Sequence, residues 1–179
     1  MTPSQPNGTS AHLAHLLSPG RALIICGIMS AALLGGAFLF EYVGGLLPCR
    51  MCIWQRWAHA AIIACALIGT FMPPPRQAGL GLILVGSTAA LSATLAGYHA
   101  GVEWHLWAGP SGCTASLAGN VSAALLVDQL LATPVVRCDE VPWSLFGLSM
   151  AGWNMIFSLD ILAVALMSLI AGLKAKSAK

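Results

Sequence analysis

Cys49 and Cys52 stand close together in the run Pro48-Cys49-Arg50-Met51-Cys52. A Cys-x-x-Cys spacing permits a disulfide and often carries an activated thiol. Two local effects are expected to lower a thiol pKa here. A helix starting at this point offers partial positive charge and free N–H groups. Arg56, one helical turn after Cys52, would share its helical face. The thiolate is the attacking species in disulfide exchange, so the pair suits redox chemistry. Zinc would use the same spacing with a second pair or with His. Cys113 and Cys138 would be the candidates, but they stand far apart in the chain with no compact His partner, and no metal site is assigned. A structural disulfide remains open, although an activating Arg beside it would then have no purpose.

Cys113 and Cys138 form a second candidate pair. Their spacing alone favours a staple, since a disulfide there would constrain the loop it closes. An electron relay with the first pair is the alternative. Cys26 and Cys65 fall in apolar runs and read as small apolar residues with no redox role. Arg56 is either an interfacial anchor that snorkels or a cation stabilising a thiolate or an anionic reduced acceptor. His99 is either interfacial decoration or a donor to a bound carbonyl. Asp160 could bond to Asn154, Ser158 or another helix, or serve a proton path, and stays unassigned. His12, His15, His59 and His105 give no comparable signal.

The elements that must hold these residues follow from composition. The chain has 179 residues, 58% of them hydrophobic and only 8% charged. Soluble domains carry roughly 25% charged residues, so lipid must be part of this chain's solvent. The net charge of +2 gives no support for nucleic-acid binding. Four long runs nearly free of charge end at Glu41, Pro73, Glu103 and Leu173, with Asp160 the one charge in the last. About 20 helical residues cross a hydrocarbon core roughly 30 Å thick, and lipid requires every backbone group to be bonded internally. The expectation is an all-α membrane protein, one four-helix bundle over residues 1–179. Its spans are placed near 22–42, 54–72, 78–100 and 145–171. The first run is too long for a typical signal-peptide core and is expected to be retained.

Four spans put both termini on one side, with Arg21, Arg76, Lys174, Lys176 and Lys179 and no acid. The other side has Arg50, Arg56 and Arg137 against Glu41, Glu103, Asp128, Asp139 and Glu140. The positive-inside rule therefore places both termini in the cytoplasm and the loops near 43–53 and 101–144 outside. Four of the six cysteines fall in those outer loops, where a disulfide can persist. Trp104, Trp107 and Trp143 flank the longer loop, as indole rings do at headgroup level. Within it, Ala115 to Ala132 is apolar but interrupted by Asn120, Ser122, Asp128 and Gln129. Leu117, Val121, Leu125 and, loosely, Leu131 can share one side of a short helix lying on the membrane surface. A plain loop segment is the alternative.

Residues 41–59, EYVGGLLPCRMCIWQRWAH, resemble the DsbB family of bacterial disulfide-bond formation proteins. Further matches follow in order: YHAGVEW at 98–104, GPSGC at 109–113, Cys138, and LFGLSMAGWN at 145–154. The resemblance implies an enzyme of the bacterial inner membrane, a thiol oxidase that reoxidises a periplasmic DsbA-like thioredoxin-fold protein. The electrons would pass to a quinone, ubiquinone first among the candidates. By the same resemblance, Cys49 and Cys52 would be the pair coupled to quinone, with Cys52 contacting the ring. Arg56 would support the quinone and His99 would lie near it. Cys113 would be the sulfur attacked by the reduced partner, and Cys138 would leave and could attack Cys49. This turns the second pair from staple to relay. Two other readings remain. One is a quinone reductase of the vitamin K epoxide type, whose Cys-x-x-Cys is expected late in the chain rather than early. The other is a non-enzymatic scaffold with two structural disulfides.

Overall fold

The computed structural model describes residues 18–111, 113 and 136–177. The segment 115–132, expected to hold a surface helix, lies outside the described residues.

Four helices account for most of the fold. Helix α1 spans Pro19–Tyr42, with Ser18 at its N-cap and proline in its first turn, where a missing N–H costs nothing. It stops before Gly45, which takes φ +69°. That left-handed conformation is open to glycine without steric cost. Helix α2 spans Arg50–Phe71, and its N-cap is Cys49, whose sulfur accepts the Cys52 N–H at 3.2 Å. The run of prolines 73–75 ends α2 and restarts the chain as α3. Helix α3 spans Pro74–Glu103, with a π-helical turn at Gln77–Gly81. Helix α4 spans Met150–Ser177. Between α3 and α4 a short antiparallel hairpin pairs β1, Ser144–Leu145, with β2, Leu148–Ser149. Phe146 and Gly147 at its tip have φ +53° and +79°. Positive values at both positions are those of a primed two-residue turn.

The helices contain 24, 22, 30 and 28 residues, each long and apolar enough to cross a membrane. The protein is thus a multi-pass membrane protein. The helices close a ring in which α1 packs on α2, α2 on α3, α3 on α4 and α4 on α1. The centre is filled by small and branched residues, among them Leu23, Cys26, Ile62, Ala66, Val85 and Ile161. Where α1 crosses α2 and α3, Leu23 lies against Gly69 and Gly81. A Cβ added at either glycine would come within 3.1–3.3 Å of it. Small residues at such crossings let backbones approach, which is how helices associate when lipid removes the hydrophobic drive.

The polarity of the bundle is inverted relative to a soluble protein. Ile28, Leu39, Phe71, Ile83 and Leu91 are exposed, whereas Ser30, Gln55, His59, Ser92, His99, Glu103 and Ser158 are buried. Asp160 is exposed on α4 and makes no hydrogen bond or ion pair among the described residues. Its expected partners, Asn154 and Ser158, face inward instead and bond to one another and to α2 and α3.

Helix α1 starts at Pro19 rather than 22, α3 at Pro74 rather than 78, and α4 runs to Ser177 rather than 171. Three further boundaries, at the other end of the bundle, shift for local reasons. Helix α2 starts at Arg50 rather than 54, because the Cys49 cap opens it inside the polar stretch. Helix α3 runs to Glu103 rather than 100 because that acid is buried and accepts a hydrogen bond from Ser149. Helix α4 starts at Met150 rather than 145 because Leu145 to Leu148 turns back on itself. Ser149 caps it by accepting the Gly152 N–H at 3.1 Å, the usual service of a serine at a helix start.

Candidate functional site

The end of the bundle formed by the α1 C-terminus, α2 N-terminus, α3 C-terminus and α4 N-terminus gathers Cys49, Cys52, Arg56, His99 and Glu103. As the N-cap of α2, Cys49 sits at the mouth of the bundle while Cys52 lies one turn in. Cys49 is 4% exposed and its thiol lies 2.9 Å from the Cys52 sulfur, to which it donates. One turn before Glu103 on α3, His99 brings its Nε2 to 3.6 Å from Cys49 Sγ and 3.9 Å from Glu103 Oε1.

The second pair reaches the same place through the chain after α3. Gly101 has no Cβ, so the Trp107 ring lies directly on its backbone. Trp107 stacks on Tyr98 with ring centroids 5.8 Å apart and donates its indole N–H to the Tyr98 carbonyl at 3.0 Å. That fold-back places Gly109 against Val102 and Cys113. Cys138 then donates its backbone N–H to the Cys113 carbonyl at 2.9 Å. Cys49, Met51, Val102, Cys113 and Cys138 form one buried cluster, with Cys52 packed against it. The Cys138 thiol is within hydrogen-bond reach of both Cys113 and Cys49. All four expected site cysteines are thus brought together, and Cys26 and Cys65 are not. All six are free thiols in this structure.

Thiol acidity follows burial and pairing. The Cys49 thiol is pushed up to about 12, first by donation to Cys52 and then by burial. Arg56, expected to share a helical face with Cys52, is not among the causes that shift the Cys49 thiol and is engaged by Glu41. The two form an ion pair, and Arg56 also donates to the Ala37 carbonyl at 3.2 Å and lies 5.0 Å over the Phe38 ring. Burial, helped by donation to Cys138, pushes Cys113 up to about 12. Cys138 is raised as well, chiefly by burial. Burial thus raises both thiols of the outer pair, Cys113 and Cys138, when they are reduced.

Beside the cysteines opens a cavity of about 430 Å³ between α1, α2 and α4. Leu33, Ala37, Phe40, Trp143 and Phe157 give it apolar walls, and Cys49, Cys52, Arg56 and His99 stand at one end. Small-ligand sites are of this kind, largely apolar with a few convergent polar groups.

A buried chain of side chains continues below His99, and sequence reasoning did not identify it. Gln55 Nε2 donates to His99 Nδ1 at 2.8 Å, and Asn154 Nδ2 donates to Gln55 Oε1 at 2.6 Å. His59 Nε2 lies 2.6 Å from Asn154 Oδ1, and His59 Nδ1 lies 2.8 Å from Ser30 Oγ. With an acceptor role imposed on Nδ1, neutral His99 carries its proton on Nε2, aimed at Cys49 and Glu103. Four helices contribute to this chain, so it locks them in register. Asn154→Leu would strand the Gln55 oxygen inside the bundle and leave His59 Nε2 only its longer contact with Ser92 Oγ at 3.4 Å. The expected loss is about 1–3 kcal/mol of stability, read as earlier thermal unfolding in detergent. An unchanged midpoint would show that the chain adds nothing to stability.

The family described as Disulfide bond formation protein DsbB matches residues 19–168. Disulfide bond formation protein B of Xanthomonas oryzae pv. oryzae (strain MAFF 311018) is 31% identical over 166 residues, covering 87% of this chain and 92% of that one. Disulfide bond formation protein B 1 of Pseudomonas fluorescens (strain Pf0-1) is 30% identical, covering 83% and 88%. Disulfide bond formation protein B of Methylococcus capsulatus is 32% identical, covering 84% and 94%.

Proposed function

Because the chain belongs to the DsbB family of membrane disulfide-bond formation proteins, we propose that it oxidises a DsbA-like thioredoxin-fold partner and delivers the electrons to a quinone, ubiquinone first. The observation that carries this reading is the single buried cluster holding both cysteine pairs beside an apolar cavity. One cysteine pair would suffice for a staple, whereas two pairs in exchange distance form a path.

The steps balance as two-electron exchanges. A partner thiolate attacks Cys113 of a Cys113–Cys138 disulfide, and Cys138 leaves as thiolate. The partner's second thiol displaces Cys113, so the partner departs oxidised. Cys138 attacks Cys49 of a Cys49–Cys52 disulfide and releases Cys52 as thiolate. Cys113 then attacks Cys138, restoring the outer disulfide and leaving Cys49 and Cys52 reduced. His99, with its proton on Nε2, is placed to donate to the Cys49 sulfur as it leaves. The cavity fits a quinone headgroup by its apolar walls and by the polar Arg56 and His99 at the cysteine end. A quinone bound there supplies an acceptor for two electrons and two protons. Arg56, held by Glu41, presents positive charge where that acceptor gains electrons.

The positive-inside pattern supports an inner-membrane orientation with cytoplasmic termini, the cysteine-bearing end facing the periplasm. The test is capture of the partner. In a Cys138→Ala chain, Cys113 should form a mixed disulfide with an oxidised thioredoxin-fold protein whose resolving cysteine can be blocked. The adduct should vanish under dithiol reductant and in a Cys113→Ser chain. An adduct through Cys26 or Cys65, or none at all, would refute the assigned outer site.

A further inference from the structure

The sequence offers no third ligand near the Cys-x-x-Cys pair, because the residue that completes the set lies far along the chain on another helix. The fold supplies it. Cys49 Sγ, Cys52 Sγ and His99 Nε2 all lie within 4.8 Å of one another. We propose that the reduced pair and His99 form a binding site for a soft divalent cation, Zn²⁺ or Cd²⁺, which holds the enzyme in its reduced state. This shares residues with the thiol-oxidase reading but requires neither quinone nor partner.

The donor set suits such an ion. Two thiolates and an imidazole match the ligand softness and tetrahedral geometry of zinc, leaving one position open. Glu103, with Oε1 3.9 Å from His99 Nε2, stands nearest for that position, with water as the alternative. Binding converts two thiols to thiolates and releases two protons, without any change of oxidation state. The site exists only when the pair is reduced, since a disulfide leaves no thiolate to coordinate. A metal there occupies both sulfurs that must give up electrons.

The buried chain below His99 is built to serve this role as well. A metal on Nε2 needs the ring proton on Nδ1, and Gln55 must then accept it. Exchanging oxygen and nitrogen in the Gln55 and Asn154 amides runs the same contacts in reverse. His99 Nδ1–H donates to Gln55, Gln55 to Asn154, Asn154 to His59 Nε2, and His59 Nδ1–H to Ser30. Ser30 has a second acceptor ready for its own proton, the His59 carbonyl at 3.1 Å. Every group stays bonded in both senses, so the ligand's outer partners are already in place.

The test uses the full-length chain in detergent, reduced and then freed of reductant, with Cd²⁺ as probe and thiolate-to-cadmium absorption as readout. With Cys113 and Cys138 both replaced by serine, one Cd²⁺ per chain should bind, and chelator should remove it. Oxidising the pair should abolish binding. His99→Ala should weaken binding about 100-fold and Gln55→Leu about 10-fold. In the wild-type chain, X-ray absorption of bound Zn²⁺ should show two sulfurs at about 2.3 Å with the remaining ligands nitrogen or oxygen. That wild-type measurement guards against a His99 variant that merely misfolds. Binding to the oxidised pair, a four-sulfur zinc shell, or affinity indifferent to His99 would each overturn the proposal. Because no quinone or partner is present, a negative result leaves the thiol-oxidase reading intact, and loss of quinone reduction leaves this one intact.

Discussion

Cys52→Ser should abolish the proposed reduction of ubiquinone by the chain, an expected loss on the order of 10³-fold or more. A hydroxyl cannot form the disulfide that stores the oxidising equivalent, and it cannot yield two electrons at neutral pH. The geometry sharpens the expectation. Cys52 lines the cavity, accepts the Cys49 S–H at 2.9 Å, and is one helical turn below the cap. No other sulfur stands in the cavity beside Cys49 except that of Met150, a thioether with no thiol chemistry, so nothing substitutes for it among the described residues. Anaerobic conversion of ubiquinone to quinol, followed by absorbance, provides the measurement. Cys65→Ser, altering a thiol away from the cluster, should leave the rate unchanged. A Cys52→Ser chain that keeps the wild-type rate would remove the inner pair from the mechanism.

Arg56→Met should raise the KM for quinone by about 10- to 100-fold and lower stability by about 1–3 kcal/mol. The two effects have separate origins, and a second substitution divides them. The stability loss comes from Glu41, left as a largely buried carboxylate without its cation. Side-chain exposures of 14% and 18% place the pair at the edge of the bundle. That position keeps the cost below that of a fully buried pair. Adding Glu41→Gln removes the stranded charge, so the double variant should recover most of the stability. The KM defect should persist, because positive charge is still missing from the cavity wall. Recovery of both by Glu41→Gln would mean that Arg56 acts only as a structural partner.

The helices are legible in the sequence because lipid imposes length and apolarity on any run that crosses it. Their ends are less so. A helix start beside the Cys-x-x-Cys pair is expected, but cysteine is not among the usual caps and the polar Gln55 and Arg56 push the expected span boundary inward. Leu145 to Leu148 reads as apolar and merges with the last span; Gly147 is the visible sign of a turn. The four clustered cysteines and His99 stand out by type and position. Gln55, Asn154 and His59 do not, because a polar residue in a span announces that it has a partner but not which one. Glu41 and Arg56 pair across two helices, where no local spacing rule applies. Only the fold reveals that a carboxylate engages Arg56.

The inverted polarity of the bundle bears on how the chain enters a membrane at all. Helix α2 is the least apolar of the four, because it carries Gln55, Arg56 and His59. An arginine within a helix weighs heavily against insertion when the helix meets lipid alone. Helix α1 is made first, is among the most apolar, and holds the partners that α2 lacks: Glu41 for Arg56 and Ser30 for His59. The order of synthesis thus places a complement for Arg56 and His59 ahead of them in the chain, whereas Gln55 finds its partners only in the later helices, at His99 and Asn154.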